Sequence, residues 1–295
     1  MADYVLCCCS TADLTKEQFD KRDIHYIYSH YEIDGVSYRD DFGQSMSFVE
    51  FYGKMRSGAD TKTYQINAAE FEGFWEPFLQ EGKDVFHIAL SSGISGTYNS
   101  ANIAKEILEE RYPDRKVYVV DSICASSGYG LLVDKLADLR DEGMEAEELF
   151  AWAEENKYHL QTWFFSTDLT FYIKGGRISK TAGFVGGLLN ICPLMNMDRG
   201  GHLIPRQKIR TKKRVIEAVE KQMETYAENG LDYSDKCYVC HSDCYEDART
   251  LADMIESRFP KLKEKVAIYD IGTTIGSHSG PGTAAVFFWG QERAD

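Results

Sequence analysis

A serine-rich loop and a histidine set among glycines hold the residue types best suited to grip or attack an acidic group. The loop is Ser91-Ser92-Gly93-Ile94-Ser95-Gly96-Thr97. It follows the apolar run Val85-Phe86-His87-Ile88-Ala89-Leu90 and precedes Tyr98, Ala101, Ile103, Ala104, Ile107 and Leu108 at helical spacing. A buried strand feeding a small-residue loop that opens a helix is an anion site in outline. The first helical N–H groups have no internal partner, and the helix dipole turns its positive end toward the loop. The glycines let the backbone come close to a ligand, and the hydroxyls add donors. A plain strand-to-helix turn capped by serine reads the same way. No Gly-Lys-Ser/Thr follows, so this is not a Walker phosphate loop. Thr97 stands where a Gly-x-Ser-x-Gly nucleophile elbow needs its last glycine.

The histidine is His278, in Gly276-Ser277-His278-Ser279-Gly280-Pro281-Gly282. The pattern places it in a loop before the strand Thr283 to Trp289. An imidazole there can donate to a carboxylate or act as a general base. Paired with Ser95 it would give a serine hydrolase, although no acid partner for the histidine is assignable. The alternative is a turn whose histidine caps local backbone.

Other stretches carry weaker chemistry. Cys237-Tyr238-Val239-Cys240-His241 has haem-attachment spacing and, with Cys244, the look of a metal cluster. Strand character should send Cys237 and Cys240 to opposite faces, so neither reading is adopted. Cys7-Cys8-Cys9 reads as half-buried strand. Arg206, Lys208, Arg210, Lys212, Lys213 and Arg214 form a basic cluster. Cations at a helix start oppose the dipole, which suits docking of a phosphate or an acidic partner surface. Asp121 ends a strand and should cap the next loop.

The elements that must position these groups alternate. Tyr4 to Cys9 reads as a strand, and Thr15 with Gln18 opens a helix. Residues 24 to 43 hold short extended pieces. Ser47 with Glu50 and Asn67 with Glu70 open two more helices; the second carries Phe71, Phe74, Trp75 and Phe78 on one face. Lys116 to Val120 is a strand, followed by helices around 127–142 and 145–157. Strands alternating with helices predict a parallel sheet with helices on both faces, with ligands beyond the carboxyl ends of the strands. Cys9-Ser10, the serine loop and Asp121-Ser122 all fall at such ends. From about residue 160 hairpins mix with helices: Thr162 to Ser166, Pro193 to Met197 with His202 to Lys208, and a helix from Thr211. A glycine-rich apolar helix is expected over Ala182 to Asn190. The reading is an α/β chain with an N-terminal three-layer domain, 1–158, and a C-terminal α+β domain, 159–295.

Composition narrows the partners. The chain has 295 residues and a net charge of −14, which argues against nucleic acid or an anionic membrane. No run reaches the roughly 18 apolar residues of a membrane span. The start, Met-Ala-Asp-Tyr-Val-Leu, is not expected to be a signal peptide, and eight cysteines read as reduced cytoplasmic thiols.

Taken together, Ile94-Ser95-Gly96-Thr97-Tyr98, Val120-Asp121-Ser122, Lys174-Gly175-Gly176-Arg177-Ile178 and Gly276-x-His278-x-Gly280-Pro281-Gly282 resemble the DegV family, in order and at suitable distances. The resemblance implies a two-domain fold holding a long-chain fatty acid and no other cofactor or metal. It implies a non-catalytic subunit of bacterial fatty acid kinase, whose separate ATP-using catalytic subunit phosphorylates the carboxylate for phospholipid synthesis. By resemblance the carboxylate would meet Thr63, Ser95, Gly96 and His278, and Arg177, Lys208 and Arg210 would face the kinase or the transferring phosphate. Gly183 to Leu189 and the aromatic helix at 71–78 are candidate tail walls. Three positions depart from the family pattern: Cys9 for an aspartate, Tyr64 for a serine and Cys192 for a lysine. The first two are expected near the head group. A phosphoryl-transfer enzyme acting alone is the third reading, opposed by the missing Walker loop and the lack of a magnesium-binding carboxylate cluster.

Overall fold

The computed structural model describes residues 4–179 and 191–294. The expected helix at 182–190 and the Gly183–Leu189 tail wall lie outside the described residues. The first half contributes strands β1 (Tyr4–Cys9), β2 (Ile24–Ile27), β3 (His30–Ile33), β4 (Val36–Arg39), β5 (Thr61–Tyr64), β6 (Asp84–Ala89) and β7 (Val117–Asp121). Its helices are α1 (Lys16–Lys21), α2 (Phe48–Arg56), α3 (Ala68–Gln80), α4 (Thr97–Arg111), α5 (Ser126–Asp141) and α6 (Ala146–Asn156).

β2-β1-β6-β7 is an all-parallel sheet. Alternation on β6 shows what flanks it. The His87 ring packs edge-on against Phe71 and Trp75 of α3, while Phe86 lies beside Tyr118, which meets Phe150 of α6. Helices therefore cover both faces. The capping boxes at Thr15–Gln18 and Asn67–Glu70 form in full, and Ser47 accepts the Glu50 N–H. The remaining strands make a small antiparallel sheet, β4-β3-β5, over α2, with a cluster of Tyr31, Ile33, Phe51, Tyr52 and Met55 between them.

The second half contributes β8 (Leu160–Ser166), β9 (Ile191–Met197), β10 (Leu203–Arg210), β11 (Tyr238–His241), β12 (Ala267–Asp270) and β13 (Thr283–Trp289), with α7 (Thr170–Lys174), α8 (Lys212–Tyr226), α9 (Tyr245–Arg258) and α10 (Thr273–Ser279). Its six-stranded mixed sheet runs β10-β9-β8-β13-β11-β12. One face takes α8: Trp163 stacks on Tyr226, and Cys237 Sγ lies 3.9 Å from Met223 Sδ. The other face meets the start of α5, where Ser126 Oγ is 3.4 Å from Cys240 Sγ. Cys237 and Cys240 thus point to opposite sides of the sheet and share no ligand. Among the described residues no helix is long and apolar enough to cross a membrane.

One expectation is corrected. His278 is not in a loop; it stands in the last turn of α10. The helix opens because the Asp40 carboxylate accepts the Thr273 and Thr274 N–H groups, a cap supplied from 233 and 234 residues away. The glycines serve distinct ends. Gly276 lets the Tyr52 hydroxyl close on the helix, and Gly280 and Gly282 take the positive φ angles, +67° and +91°, that turn the chain into β13.

Candidate functional site

A cavity opens on the α5-facing side of the six-stranded sheet. The register sets Cys240, Ala285 and Phe164 in one cross-strand row. Two-residue alternation puts Thr162, Thr283, Phe287, Met197 and Leu203 on the same face. All eight line the cavity, which holds about 1080 Å³ of atom-free space, its mouth included. Leu90, Ile94, Ala125 and Ser126 close it from the parallel-sheet side, and Ile271, Thr274 and Ile275 from the α10 side. Most of these walls are apolar, as small-molecule sites generally are.

The residues with candidate chemistry border the same space. Thr63, Ser95, Gly96, Arg177 and His278 all line the cavity, so the structure brings together five of the seven residues singled out in the sequence. Thr63, Tyr64, Arg177 and His278 also border an outer groove shared with Asp60, Lys62 and Lys174. They stand between the interior and the surface.

Strand alternation on β5 turns Thr63 inward and Tyr64 outward. Thr63 Oγ1 meets His278 Nε2 at 2.7 Å, and the Tyr64 hydroxyl donates to Glu32 at 2.6 Å. His278 Nδ1 is buried without a partner, against Gly175. A Cβ on Gly175 would come within 2.2 Å of that nitrogen, so the glycine is what admits the ring. Burial, then the nearby Arg177 cation, pulls the His278 pKa down to about 4, leaving the ring neutral near pH 7. Arg177 donates from Nε to the Ile94 carbonyl at 3.1 Å and from Nη1 to the Gly175 carbonyl at 2.7 Å, joining the serine loop to the turn after α7.

The serine loop is braced from below. Ser91 Oγ donates to the Gly201 carbonyl at 2.9 Å, and the Ser91 carbonyl accepts the Ile94 and Ser95 N–H groups. A Cβ on Gly93 would lie 2.5 Å from the Gly200 carbonyl oxygen, so the β9–β10 turn rests on the loop. Asp121 accepts the Ser92 and Ile123 N–H groups, the capping duty expected of it. The Ser95 hydroxyl donates to Thr97 Oγ1 at 3.0 Å and accepts the Thr97 N–H. It does not bond to His278, so no nucleophile–base pair is formed.

Two of the expected residues lie on the surface, and Cys9 falls elsewhere. Lys208 and Arg210 are exposed on the edge strand β10 and do not line the cavity. Cys9 is buried in the parallel-sheet core, its Sγ 3.6 Å from His87 Nε2, and not at the head group. The aromatic helix face is likewise no tail wall: Phe71 and Trp75 pack on His87, inside that core. The sequence reading missed Gln65, whose amide lies across Gly96 and donates to Ser100 Oγ at 3.1 Å. It also missed the sheet face itself. Alternation marks which residues share that face, but not that the face borders empty space.

The model of the DegV family, described as an uncharacterised protein family, matches residues 9–291. A DegV domain-containing protein of Clostridium perfringens is 37% identical over 293 residues, 99% of each chain. A solved structure described as fatty acid binding of a DegV family protein from Thermus thermophilus has 25% identity and a TM-score of 0.87, covering 98% of this chain and 99% of that one. The Streptococcus pneumoniae fatty acid kinase B3 protein, solved with linoleic acid, shares the fold at 22% identity and a TM-score of 0.84, over 99% and 100% of the two chains.

Proposed function

Because this chain belongs to the DegV family, we propose that it binds a long-chain fatty acid in the cavity and presents the carboxylate to a separate ATP-dependent kinase in the bacterial cytoplasm. The observation that carries the reading is one largely apolar cavity whose lining shares Thr63, Arg177 and His278 with a groove at the surface. The relatives' fatty-acid binding supports the ligand class, and the kinase B3 protein supports the partner by analogy of fold.

In this reading the tail supplies most of the affinity, at about 0.8 kcal/mol per buried methylene. The head group is held by Thr63, Ser95, Gly96 and His278. A neutral imidazole has one N–H. Carboxylate capture selects the Nε2–H tautomer: the ring donates to Thr63 Oγ1, and the Thr63 hydroxyl is left to donate to the ligand. The Gly96 N–H, at the start of the 15-residue helix α4, adds a donor at the positive end of the dipole. Arg177 stands beside this group as the cation nearest the phosphate to be transferred, and Lys208 and Arg210 serve as outlying contacts for the kinase. The two halves, 1–158 and 159–295, act as the two walls of the site. The protein's own chemistry ends at binding and presentation.

Incubation with oleate, removal of free lipid, and mass spectrometry of the denatured extract test this directly. One oleate per chain is expected. A lipid-free extract, together with turnover of a generic ester that Ser95→Ala abolishes, would replace this reading with the hydrolase.

A further inference from the structure

The two buried carboxylates of Asp13 and Asp40 are not used by the site as described. Asp13 follows β1 and is 6% exposed; Asp40 follows β4 and is 2% exposed. They converge on Gly272, immediately before α10. A Cβ on Gly272 would lie 2.5 Å from Asp13 Oδ1 and 3.2 and 3.3 Å from the two oxygens of Asp40. Only a glycine leaves room for both.

Their hydrogen bonds differ. Asp40 accepts the Thr273 N–H at 3.2 Å, the Thr273 hydroxyl at 2.8 Å and the Thr274 N–H at 3.0 Å. Asp13 Oδ2 accepts the Ser126 hydroxyl at 2.5 Å, and its backbone carbonyl accepts the Ser127 hydroxyl at 3.1 Å. Asp40 therefore grips the start of α10, which carries Thr274, Ile275 and His278. Asp13 grips the start of α5, whose Ser126 lines the cavity from the other side.

Among the described residues, no cation forms an ion pair with either carboxylate. The titratable groups facing the pair are Tyr52 of α2, Tyr31 of β3, Cys240 of β11 and Asp270 at the end of β12. Lys16 borders the adjoining groove but pairs with Asp20. Two buried like charges converging on one glycine disfavour double ionisation. Asp40, with three donors against the two on Asp13, the Ser126 hydroxyl and the Gly272 N–H, is the better site for the negative charge.

We propose that Asp13 and Asp40 are positioning residues that carry a single charge between them, Asp13 remaining protonated, and that this pair fixes the starts of α10 and α5, both of which line the cavity. The inference rests on the proposed function for its binding arm only. Burial and the neighbouring Asp40 charge push the Asp13 carboxyl well above its ordinary range, which agrees. The sign follows. A carboxyl protonated when folded and ionised when unfolded weakens the fold as pH rises above its unfolded value of about 3.9. Asparagine mimics the protonated form and does not titrate.

The test compares Asp13→Asn, Asp13→Ala and Asp40→Asn with the parent. Asp13→Asn is expected to raise Tm by about 3 °C or more near pH 7.5, with the gain gone near pH 4. Hydrogen exchange of the amides of residues 273–280 should stay protected in Asp13→Asn and rise at least about tenfold in Asp40→Asn and Asp13→Ala. Oleate affinity should hold within about twofold in the first variant and fall about fivefold or more in the other two. A lower Tm for Asp13→Asn by the same amount at both pH values would overturn the single charge. Unchanged exchange at 273–280 in the other two variants would overturn the positioning role. A parent that binds no oleate would remove the proposed function, while the thermal and exchange results would still decide this one.

Discussion

Thr63 and His278 are 215 positions apart, yet their side chains meet at 2.7 Å. β5 turns the threonine inward, and α10 carries the histidine to it. The contact lies where the interior cavity and the outer groove share their lining. A head group placed there is reachable from outside while its tail is not.

Removing the donors should weaken capture without unfolding the chain. Ser95→Ala, which removes a donor, and His278→Ala, which removes the ring that orients the Thr63 hydroxyl, are each expected to lower oleate affinity about tenfold, the scale of one hydrogen bond to a charged acceptor. Isothermal titration reads this. Unchanged affinity in both variants would detach the head group from this end of the cavity.

Filling the cavity is a sharper test of where the tail lies. Ala285 is at the middle of the lining face, between Phe164 and Cys240. Ala285→Phe should abolish oleate uptake and leave Tm within a few degrees, because the added ring goes into empty space rather than packed core. Oleate retained at full stoichiometry would place the tail elsewhere.

Gly175→Ala adds one methyl where His278 Nδ1 now sits. The backbone of Gly175 is at φ −73°, so alanine meets no conformational penalty there. The ring must move. Oleate binding should weaken several-fold with little change in Tm, and the Thr63–His278 contact should be lost in a crystal structure of the variant. An intact contact would show that the turn yields instead.

The pH dependence of stability should carry the mark of His278. Its folded pKa is about 4, below the unfolded value of about 6.5. The unfolded chain therefore binds more protons between these values. The stabilisation is full above about 6.5 and is lost as pH falls through 4, a change of up to roughly 3 kcal/mol. His87, brought down to about 3 by burial alone, acts in the same direction. His278→Gln should lose less stability than the parent between pH 6.5 and 4 in urea titrations. Parallel curves would place the ring in contact with solvent.

Arg177→Ala should spare oleate binding and impair acyl-phosphate formation when the kinase subunit and ATP are added. Full coupling in that variant would leave Arg177 with only its bonds to Ile94 and Gly175.

Much of this was legible before folding. The serine loop, the strand at Thr283 to Trp289 and the capping role of Asp121 depend on neighbours within a few residues, and local pattern shows such things. The helix under His278 depends on Asp40, far away in sequence, so its glycines read as a loop. Phe71 and Trp75 form a helical apolar stripe whether they face a packed core or a lipid, and composition does not separate the two. The cavity is a property of what several strands leave unfilled, at Ala285 above all. No single segment encodes it.

β13 is the central strand of the six, between β8 and β11, although it is the last strand in the sequence. During translation, β10-β9-β8 and β11-β12 remain two separate fragments until Thr283 to Trp289 clear the ribosome. The sheet face that lines the cavity is therefore continuous only once Thr283 to Trp289 bridge the two fragments.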